Sequence, residues 1–272
     1  MKPTKFNDLN ELLADFTAEH KRILGNNLIG LYLQGSAAVG GMDEYSDVDF
    51  VAVVREDFNQ SELEQMQALT LDFYNRKNDV QWAEHLEGSY FPLELLKAFD
   101  RPEETAWYND NGSQVLERST HCNTLVVRWC LYEYAIPLCG PDFKTLMGPV
   151  STAAIQAEIF DVMIDWGAEI LERGVDSNCF YQQFITASYC RMLHTLTIGR
   201  IDSKQAGLNW SKTNLDPEWH SLFDQVLADR DNSGVLARKP ANPVEMQRAL
   251  DFVVYANRIA ETLMSQEQTD VG

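Results

Sequence analysis

Basic side chains are scarce in this chain, which carries 22 Lys and Arg against 41 Asp and Glu, for a net charge of −19. The dense basic stretches are short, at His20-Lys21-Arg22 and Arg238-Lys239. Because affinity for nucleic acid is built mainly on Lys and Arg contacts to phosphate, this deficit argues against a nucleic-acid partner. Acidic surfaces serve solubility in most proteins, but they also attract cations, so the expected partner is a cationic small molecule.

Long apolar segments and paired cysteines are also missing. Residues 1–8 contain no apolar core of a signal peptide, and no apolar stretch is long enough to cross a bilayer, so no membrane partner is expected. The cysteines show neither CxxC nor Cys/His ligand spacing. We therefore expect buried free thiols and a cytoplasmic protein. The five cysteines are Cys122, Cys130, Cys139, Cys179 and Cys190.

The most informative segment that is present spans 35–49 and reads Gly-Ser-Ala-Ala-Val-Gly-Gly-Met-Asp-Glu-Tyr-Ser-Asp-Val-Asp. It lies between the apolar runs 28–33 and 50–54, which predicts a strand, a Gly-Ser turn and a second strand carrying Asp47 and Asp49. Since residues two apart on a strand share a face, these carboxylates project side by side. Such a pair is typical of a Mg²⁺ site, because Mg²⁺ takes one or two carboxylates plus substrate phosphates.

The Gly-Ser turn supports phosphate binding. Gly35 lets a phosphate approach the backbone closely, and Ser36 adds a hydroxyl and an N–H donor. The alternative is a solvated turn followed by an edge strand with outward-facing acids, which a lone Asp-x-Asp would favour. With Ser46 added, the segment resembles the signature of the polymerase-β-like nucleotidyltransferases, Gly-Ser, a spacer and Ser-Asp-x-Asp.

Apolar periodicity predicts an α/β domain over 1–150 and an all-α domain over 151–272. The first domain is expected to contain helices and strands in alternation, followed by a polar region at 101–113. In the second, few strand-like runs occur. The predicted helices are 8–25, 60–75, 93–99, 122–135, 152–173, 180–198, 217–229 and 243–265, and the predicted strands are 28–34, 48–54 and 80–91.

Nucleotidyl transfer also needs an acid that meets the attacking hydroxyl. Glu84 and Glu87 both lie in the predicted strand 80–91, on opposite faces. Glu87 stands at the strand end beside Gly88-Ser89, where catalytic groups tend to emerge, so we favour it as the base. Glu84 is equally well explained as an ordinary exposed strand residue.

Three further motifs carry a more specific resemblance. They are Leu86-Glu87, the run 136–141 (Ile-Pro-Leu-Cys-Gly-Pro), and Arg191 followed by 199–204 (Gly-Arg-Ile-Asp-Ser-Lys). These match the Leu-Glu, Leu-Pro-Leu-Ala-Gly-Pro, and Arg with Gly-Arg-Ile-x-x-Lys motifs of the aminoglycoside nucleotidyltransferases. The resemblance is to the streptomycin/spectinomycin adenylyltransferase type.

The resemblance implies a mixed-sheet nucleotidyltransferase domain followed by a helical-bundle domain, with Mg²⁺ and ATP as co-substrate. It also implies that Glu87 is the base and that Arg191 and Lys204 bind the triphosphate. Without it, Arg191 is equally well explained by an interdomain salt bridge, and Lys204, in a polar turn, by plain surface exposure.

The chain departs from the family pattern at one place and offers two further candidates. Where the family has an Asp before the last helix of the first domain, this chain has Asn123, which we do not assign as a metal ligand. Trp107 falls near a family Trp that packs against the drug, although a lone aromatic is more often packing. Asp176 is the acidic residue ahead of Arg191, near the family's acidic substrate contacts.

These features predict a monomeric, Mg²⁺-dependent enzyme that transfers AMP from ATP to a hydroxyl of an aminoglycoside-type antibiotic and releases pyrophosphate. Acidic walls suit such a cationic acceptor. Two alternatives remain open. One is the same transfer to a protein or an unknown small molecule, and the other is a non-catalytic nucleotide-binding regulator.

Overall fold

The computed structural model describes residues 2–173, 178–229, 236 and 239–270, which fall into two units. The first unit comprises Met1–Met42 and Ser46–Val150, and the second comprises Asp43–Tyr45 and Ser151–Gly272. In the described part of the chain, no helix combines the length and apolarity needed to cross a membrane. The five cysteines are free thiols, and three of them are buried.

A six-stranded mixed sheet organises the first unit, in the order β5-β4-β3-β2-β1-β6. Strands β2 and β3 run parallel, and the other neighbouring strands pair antiparallel. The predicted mixed sheet is thereby confirmed. The strands are β1 Leu28–Leu33, β2 Val48–Val54, β3 Leu86–Pro92, β4 Ala106–Asn109, β5 Leu116–Ser119 and β6 Ile136–Cys139.

Five helices accompany this sheet: α1 Asn7–Leu24, α2 Gly35–Ala38, α3 Gln60–Asn75, α4 Leu93–Lys97 and α5 Leu125–Tyr134. Helix α3 begins with a capping box, in which the Asn59 side chain accepts from the Glu62 backbone N–H and Glu62 accepts from that of Asn59. The apolar faces of α1 and α3, with residues such as Phe16 and Phe73, pack with Phe50 in the core. This core takes up one face of the sheet.

Strand alternation then decides where the polar side chains go. Because Phe50 of β2 enters the core under α1 and α3, its neighbour Asp49 projects from the opposite face of the sheet. The register aligns Tyr32, Val51 and Ser89 on that same opposite face. The candidate carboxylates therefore lie on the face turned away from the α1–α3 core.

The second unit is helical among the residues that are described, as predicted for this part of the chain. Its central helix is α7, which packs against the four other helices of this unit. At Gly207 of α8, an added side-chain carbon would lie 2.6 Å from Arg191 Cα, so these two helices cross closely. The helices are α6 Thr152–Arg173, α7 Cys179–Ile198, α8 Lys204–Asn214, α9 His220–Asp229 and α10 Pro243–Asp270.

Several predicted elements need correction. Residues Gln81–His85 form a 3-10 helix and the strand begins only at Leu86, so Glu84 does not share a strand with Glu87. The polar region 101–113 contains β4, and β5, β6 and α8 were not predicted at all. Strands of four residues are too short to display a period. The Gly-Ser turn is the start of the short helix α2, and Asp47 lies just before β2.

A buried histidine gives the first unit an acid-sensitive core. His20 is fully buried, with Nδ1 donating to Phe16 O at 2.7 Å and Nε2 accepting from the Tyr90 hydroxyl at 3.0 Å. Burial lowers the pKa of His20 from 6.5 to about 4. The folded state therefore holds this imidazole neutral, while the unfolded chain binds a proton below pH 6.5.

We expect stability to be complete above pH 6.5 and to fall by roughly 3 kcal/mol between pH 6.5 and 4 because of His20 alone. In His20→Gln, the free energy of unfolding should be lower at pH 7.5 but should fall less steeply over that window. Urea unfolding at half-unit pH steps measures both slopes. Equal slopes for the two proteins would show that His20 does not contribute to acid sensitivity.

Candidate active site

The Gly-Ser segment and β2 bring Gly35 against Asp49. Gly35 has a φ of +55°, and a side-chain carbon there would collide with the Asp49 carboxylate. The end of β1 is tied to this point by a backbone hydrogen bond from Gln34 N to Asp49 O at 2.9 Å. A glycine is needed both for the left-handed backbone and for the close approach. The turn therefore defines one wall beside the carboxylate.

Strand register places Glu87 next to Asp49. The two residues are direct partners in the parallel ladder between β2 and β3, so their side chains leave the same face of the sheet. Asp47 lies two residues before Asp49. Three carboxylates that sequence analysis selected thus gather at the start of two neighbouring parallel strands.

Glu87 is held by two side chains that sequence analysis did not select. The Tyr108 hydroxyl donates to Glu87 Oε1 at 2.6 Å, and His121 Nε2 lies 3.3 Å from the same oxygen. The Glu87 side chain is 15% exposed and that of His121 is 61% exposed. Its hydrogen bond to Glu87 raises the pKa of His121 above its usual range, and the Asp110 and Asp49 charges act in the same direction. One carboxylate oxygen of Glu87 therefore contacts both a buried phenol and a solvent-facing imidazole.

Asp47 is contacted by the turn between β4 and β5. Asn111 Nδ2 donates to Asp47 Oδ1, and Asn111 Oδ1 lies 3.1 Å from His85 Nδ1. The Gly112 backbone N–H also bonds to Glu84 O at 2.8 Å. The turn that follows β4 thus orients Asp47, while β4 itself supplies Tyr108 to Glu87.

The donor set fits Mg²⁺ together with a phosphate-bearing substrate. Asp47 and Asp49 offer hard carboxylate oxygens two residues apart, and the buried Ser36 hydroxyl has no hydrogen-bond partner among the described residues. A hydroxyl in this position has a proton available for a phosphate oxygen. Within the described ranges, no group of three or more His, Cys, Asp or Glu is arranged as a complete metal site. Phosphate oxygens would have to complete the coordination.

The second unit carries Arg191 and Lys204 on two packed helices. Lys204 opens α8 instead of lying in a polar turn, and its Nζ is 4.4 Å from the centre of the Phe184 ring on α7. Phe184 and Arg191 are separated by about two helical turns, so they share one face of α7. Both cations are half-buried and belong to the same α7–α8 pair. Their role in binding triphosphate stays a prediction.

Of the remaining candidates, Trp107 and Glu84 have other partners. Trp107 is next to Tyr108 on β4, so it points to the other face, where it packs against the core with the Arg118 guanidinium 4.4 Å from its ring. Glu84 is half-buried and pairs with Lys77 at 3.6 Å. Asp176 lies outside the described residues. Ser46 is half-buried just before Asp47.

Asn123 stands where the family pattern has an acid. Its hydrogen bonds are to the surrounding chain and not to the carboxylate cluster. It is 4% exposed, donates to Arg101 O and Glu104 O at 2.8 Å, and accepts from Arg128 Nη2 at 2.6 Å. These bonds fix the segment that carries His121. The Asn123 side chain therefore serves to hold this segment in place.

Tyr108, Asp110 and Asn111 were not predicted from the sequence, because β4 and the turn that follows it were not recognised. A signal was present, since Asn111-Gly112 is a favoured turn pair between two short runs that contain aromatic or aliphatic residues. Recognition of this hairpin would have placed Tyr108 beside the strand that carries Glu87.

Comparison with known proteins agrees with this geometry. Residues 16–102 match the family model described as a nucleotidyltransferase domain, and this range includes Gly35, Ser36, Asp47, Asp49 and Glu87. Together with the mixed sheet and its clustered carboxylates, the match identifies a nucleotidyltransferase domain within the first unit.

The relatives define a narrower resemblance. Spectinomycin 9-adenylyltransferase from Staphylococcus aureus strain Mu50 / ATCC 700699 is 25% identical over 221 residues, which cover 75% of this chain and 78% of that protein. The strain N315 protein of the same name gives the same values. The crystal structure of spectinomycin adenyltransferase AAD(9) from Enterococcus faecialis with ATP and spectinomycin matches with a TM-score of 0.66 at 15% identity. It covers 92% of this chain and 98% of that one, and at this identity it shows the fold. The predicted resemblance to streptomycin/spectinomycin adenylyltransferases is confirmed.

Proposed function

We propose that this protein transfers AMP from ATP to a hydroxyl of a cationic aminoglycoside-type antibiotic of the spectinomycin and streptomycin class, with release of pyrophosphate. The observation that carries the proposal is the side-by-side placement of Asp49 and Glu87 on β2 and β3, with Asp47 two residues earlier. The names of the relatives support the acceptor class and the nucleotide.

In this proposal, Asp47 and Asp49 are the residues that would hold Mg²⁺. The ion would offset the negative charge of the ATP phosphates. Gly35 leaves room for a phosphate at the backbone, and the buried Ser36 hydroxyl donates to one of its oxygens. The chemistry is then mainly a matter of positioning and electrostatic stabilisation.

Glu87 acts as the general base. It takes the proton from the acceptor hydroxyl as the oxygen attacks the α-phosphate, the bond between the α- and β-phosphates breaks, and pyrophosphate leaves. Arg191 and Lys204 supply positive charge to the triphosphate, which matters because the leaving pyrophosphate is strongly anionic. A net charge of −19 favours encounter with a cationic acceptor.

The test is pyrophosphate release from ATP and Mg²⁺ with spectinomycin, streptomycin and unrelated aminoglycosides offered separately. We expect release that depends on one or both of the first two compounds. Glu87→Gln should lower kcat/KM about 10³-fold, because a general base contributes roughly 10²- to 10⁴-fold. Glu84→Gln makes the same chemical change three residues earlier and should stay within about threefold of wild type.

Three other results would each contradict a different part of the proposal: the acceptor class, the catalytic activity or the role of Glu87. Release that is independent of any small-molecule acceptor, with an AMP mass shift on a protein, would replace the acceptor class. ATP binding without turnover under all conditions would favour a non-catalytic nucleotide-binding role. An equal loss in Glu84→Gln and Glu87→Gln would remove Glu87 from its assigned role.

A further inference from the structure

Tyr108 makes a short hydrogen bond to Glu87, the candidate base. Tyr108 is 3% exposed, and its hydroxyl lies 2.6 Å from Glu87 Oε1. Asp110 Oδ1 lies 3.1 Å from the same hydroxyl. A phenol has one proton, so two carboxylates compete for a single donor, and the shorter distance favours Glu87. Burial and the bond to Glu87 raise the pKa of Tyr108 above its ordinary value, so the phenol stays protonated and remains a donor.

We propose that Tyr108 is a positioning residue for Glu87, with His121 as its weaker, solvent-facing second partner. This inference rests on the proposed function, in which Glu87 is the base. Both groups meet Oε1, so together they fix the rotation of the carboxylate. The Tyr108 and His121 rings lie 5.0 Å apart with planes tilted by 31°, so each also supports the orientation of the other.

The hairpin geometry explains why Tyr108 is the dominant partner. Tyr108 pairs with Ser89 in the antiparallel ladder of β3 and β4, so its Cα is fixed two residues along from Glu87 on the neighbouring strand. His121 belongs to the turn after β5 and is mostly exposed, so solvent screens its attraction to Glu87. Tyr108 therefore supplies most of the restraint on the carboxylate.

The charged and titratable groups around Glu87 determine the direction in which each substitution should shift the pKa of its carboxyl group. They are Asp49, Asp110, Tyr108, His121 and Cys122. A donor stabilises the ionised carboxylate, whereas a neighbouring carboxylate opposes it. Removing the Tyr108 hydroxyl and removing the Asp110 charge should therefore move the acid limb of the pH profile in opposite directions.

The experiment measures pyrophosphate release against pH for Tyr108→Phe and Asp110→Asn. In Tyr108→Phe we expect kcat to fall about 30-fold, a KM for ATP within about twofold, and an acid limb of kcat/KM about one pH unit higher. Asp110→Asn should move that limb to lower pH. Tyr74→Phe removes a tyrosine hydroxyl from α3 of the same unit and should match wild type.

His121 is tested by rescue. His121→Ala should lower kcat several-fold, and His121→Gln, which keeps a donor at a similar position, should recover most of it. For Tyr108, an unchanged acid limb, or a fall in kcat matched by an equal rise in KM for ATP, would overturn the proposal. For His121, equal losses in the Ala and Gln variants would do the same.

A readout independent of turnover separates this inference from the proposed function. The His121 imidazole is titrated by NMR in wild type and in Glu87→Gln. A His121 pKa that drops in Glu87→Gln supports the contact even in a protein that turns over no antibiotic. An unchanged pKa would overturn the part of the proposal that assigns His121 to Glu87.

Discussion

Asp47→Asn combined with Asp49→Asn should lower kcat/KM for nucleotidyl transfer by about 10⁴-fold while the first unit stays folded. Asn has nearly the same shape as Asp, so it fits beside Gly35 and can still accept from Asn111 Nδ2. The substitutions remove only the charge that we propose for Mg²⁺ binding. A metal site supplies several kcal/mol of charge stabilisation, which corresponds to a loss of this size.

The measurement is pyrophosphate release over a range of Mg²⁺ concentrations, with circular dichroism to verify the fold. The matched control is Asp79→Asn combined with Asp100→Asn, which removes the same charge from exposed positions of the same unit. That control should stay within about threefold of wild type. Activity of the Asp47 and Asp49 double variant within tenfold of wild type would exclude these residues as the metal ligands.

Arg128→Met should destabilise the protein by about 3–5 kcal/mol, the largest stability effect that we expect from one side chain. Arg128 is 2% exposed, and its guanidinium donates hydrogen bonds to the residues packed around it. Its Nη2 donates to Asn123 Oδ1 at 2.6 Å and to Leu95 O at 2.9 Å, and its Nε donates to Leu96 O at 3.0 Å. Methionine fills a similar volume but removes the guanidinium donors from the buried acceptors Asn123 Oδ1 and Leu96 O.

Thermal unfolding measures this effect, with an expected drop in Tm of roughly 10 °C. Arg128→Lys should fall between wild type and Arg128→Met, because an ammonium keeps the charge but cannot reproduce the guanidinium fork. Arg22→Met, at an exposed arginine that pairs with Glu19 on α1, serves as the control and should cost less than about 0.5 kcal/mol. Equal Tm values for Arg128→Met and Arg22→Met would contradict this role of Arg128.

The part of the candidate site whose geometry the sequence could predict is the part that lies in one short segment. Gly35 and Asp49 belong to the same strand-turn-strand run, so local periodicity was sufficient to place them near each other. Glu87 could be selected because it opens a strand beside a Gly-Ser pair. Its exact register opposite Asp49 depends on a parallel pairing across α3, which no local pattern encodes.

The parts that escaped prediction depend on pairing at the edge of the sheet. Strands β4 and β5 are four residues each, and the exposed side chains of Glu117 and Arg118 hide any alternation. Consequently Tyr108 was not selected, while its neighbour Trp107 was selected because it falls near a Trp of the family pattern. Tyr108 and Trp107 point to opposite faces of the sheet. Which residue points to which face is known only once the hairpin is recognised.

The hairpin formed by β4 and β5 limits which insertions and deletions this protein can accept in evolution. Surface turns usually tolerate inserted or deleted residues, because little else depends on their length. Here the stretch from Tyr108 to Asn111 serves Glu87 at one end and Asp47 at the other. A single residue gained or lost in it would shift both contacts at once, so lineages that keep catalysis should vary this turn in composition but not in length.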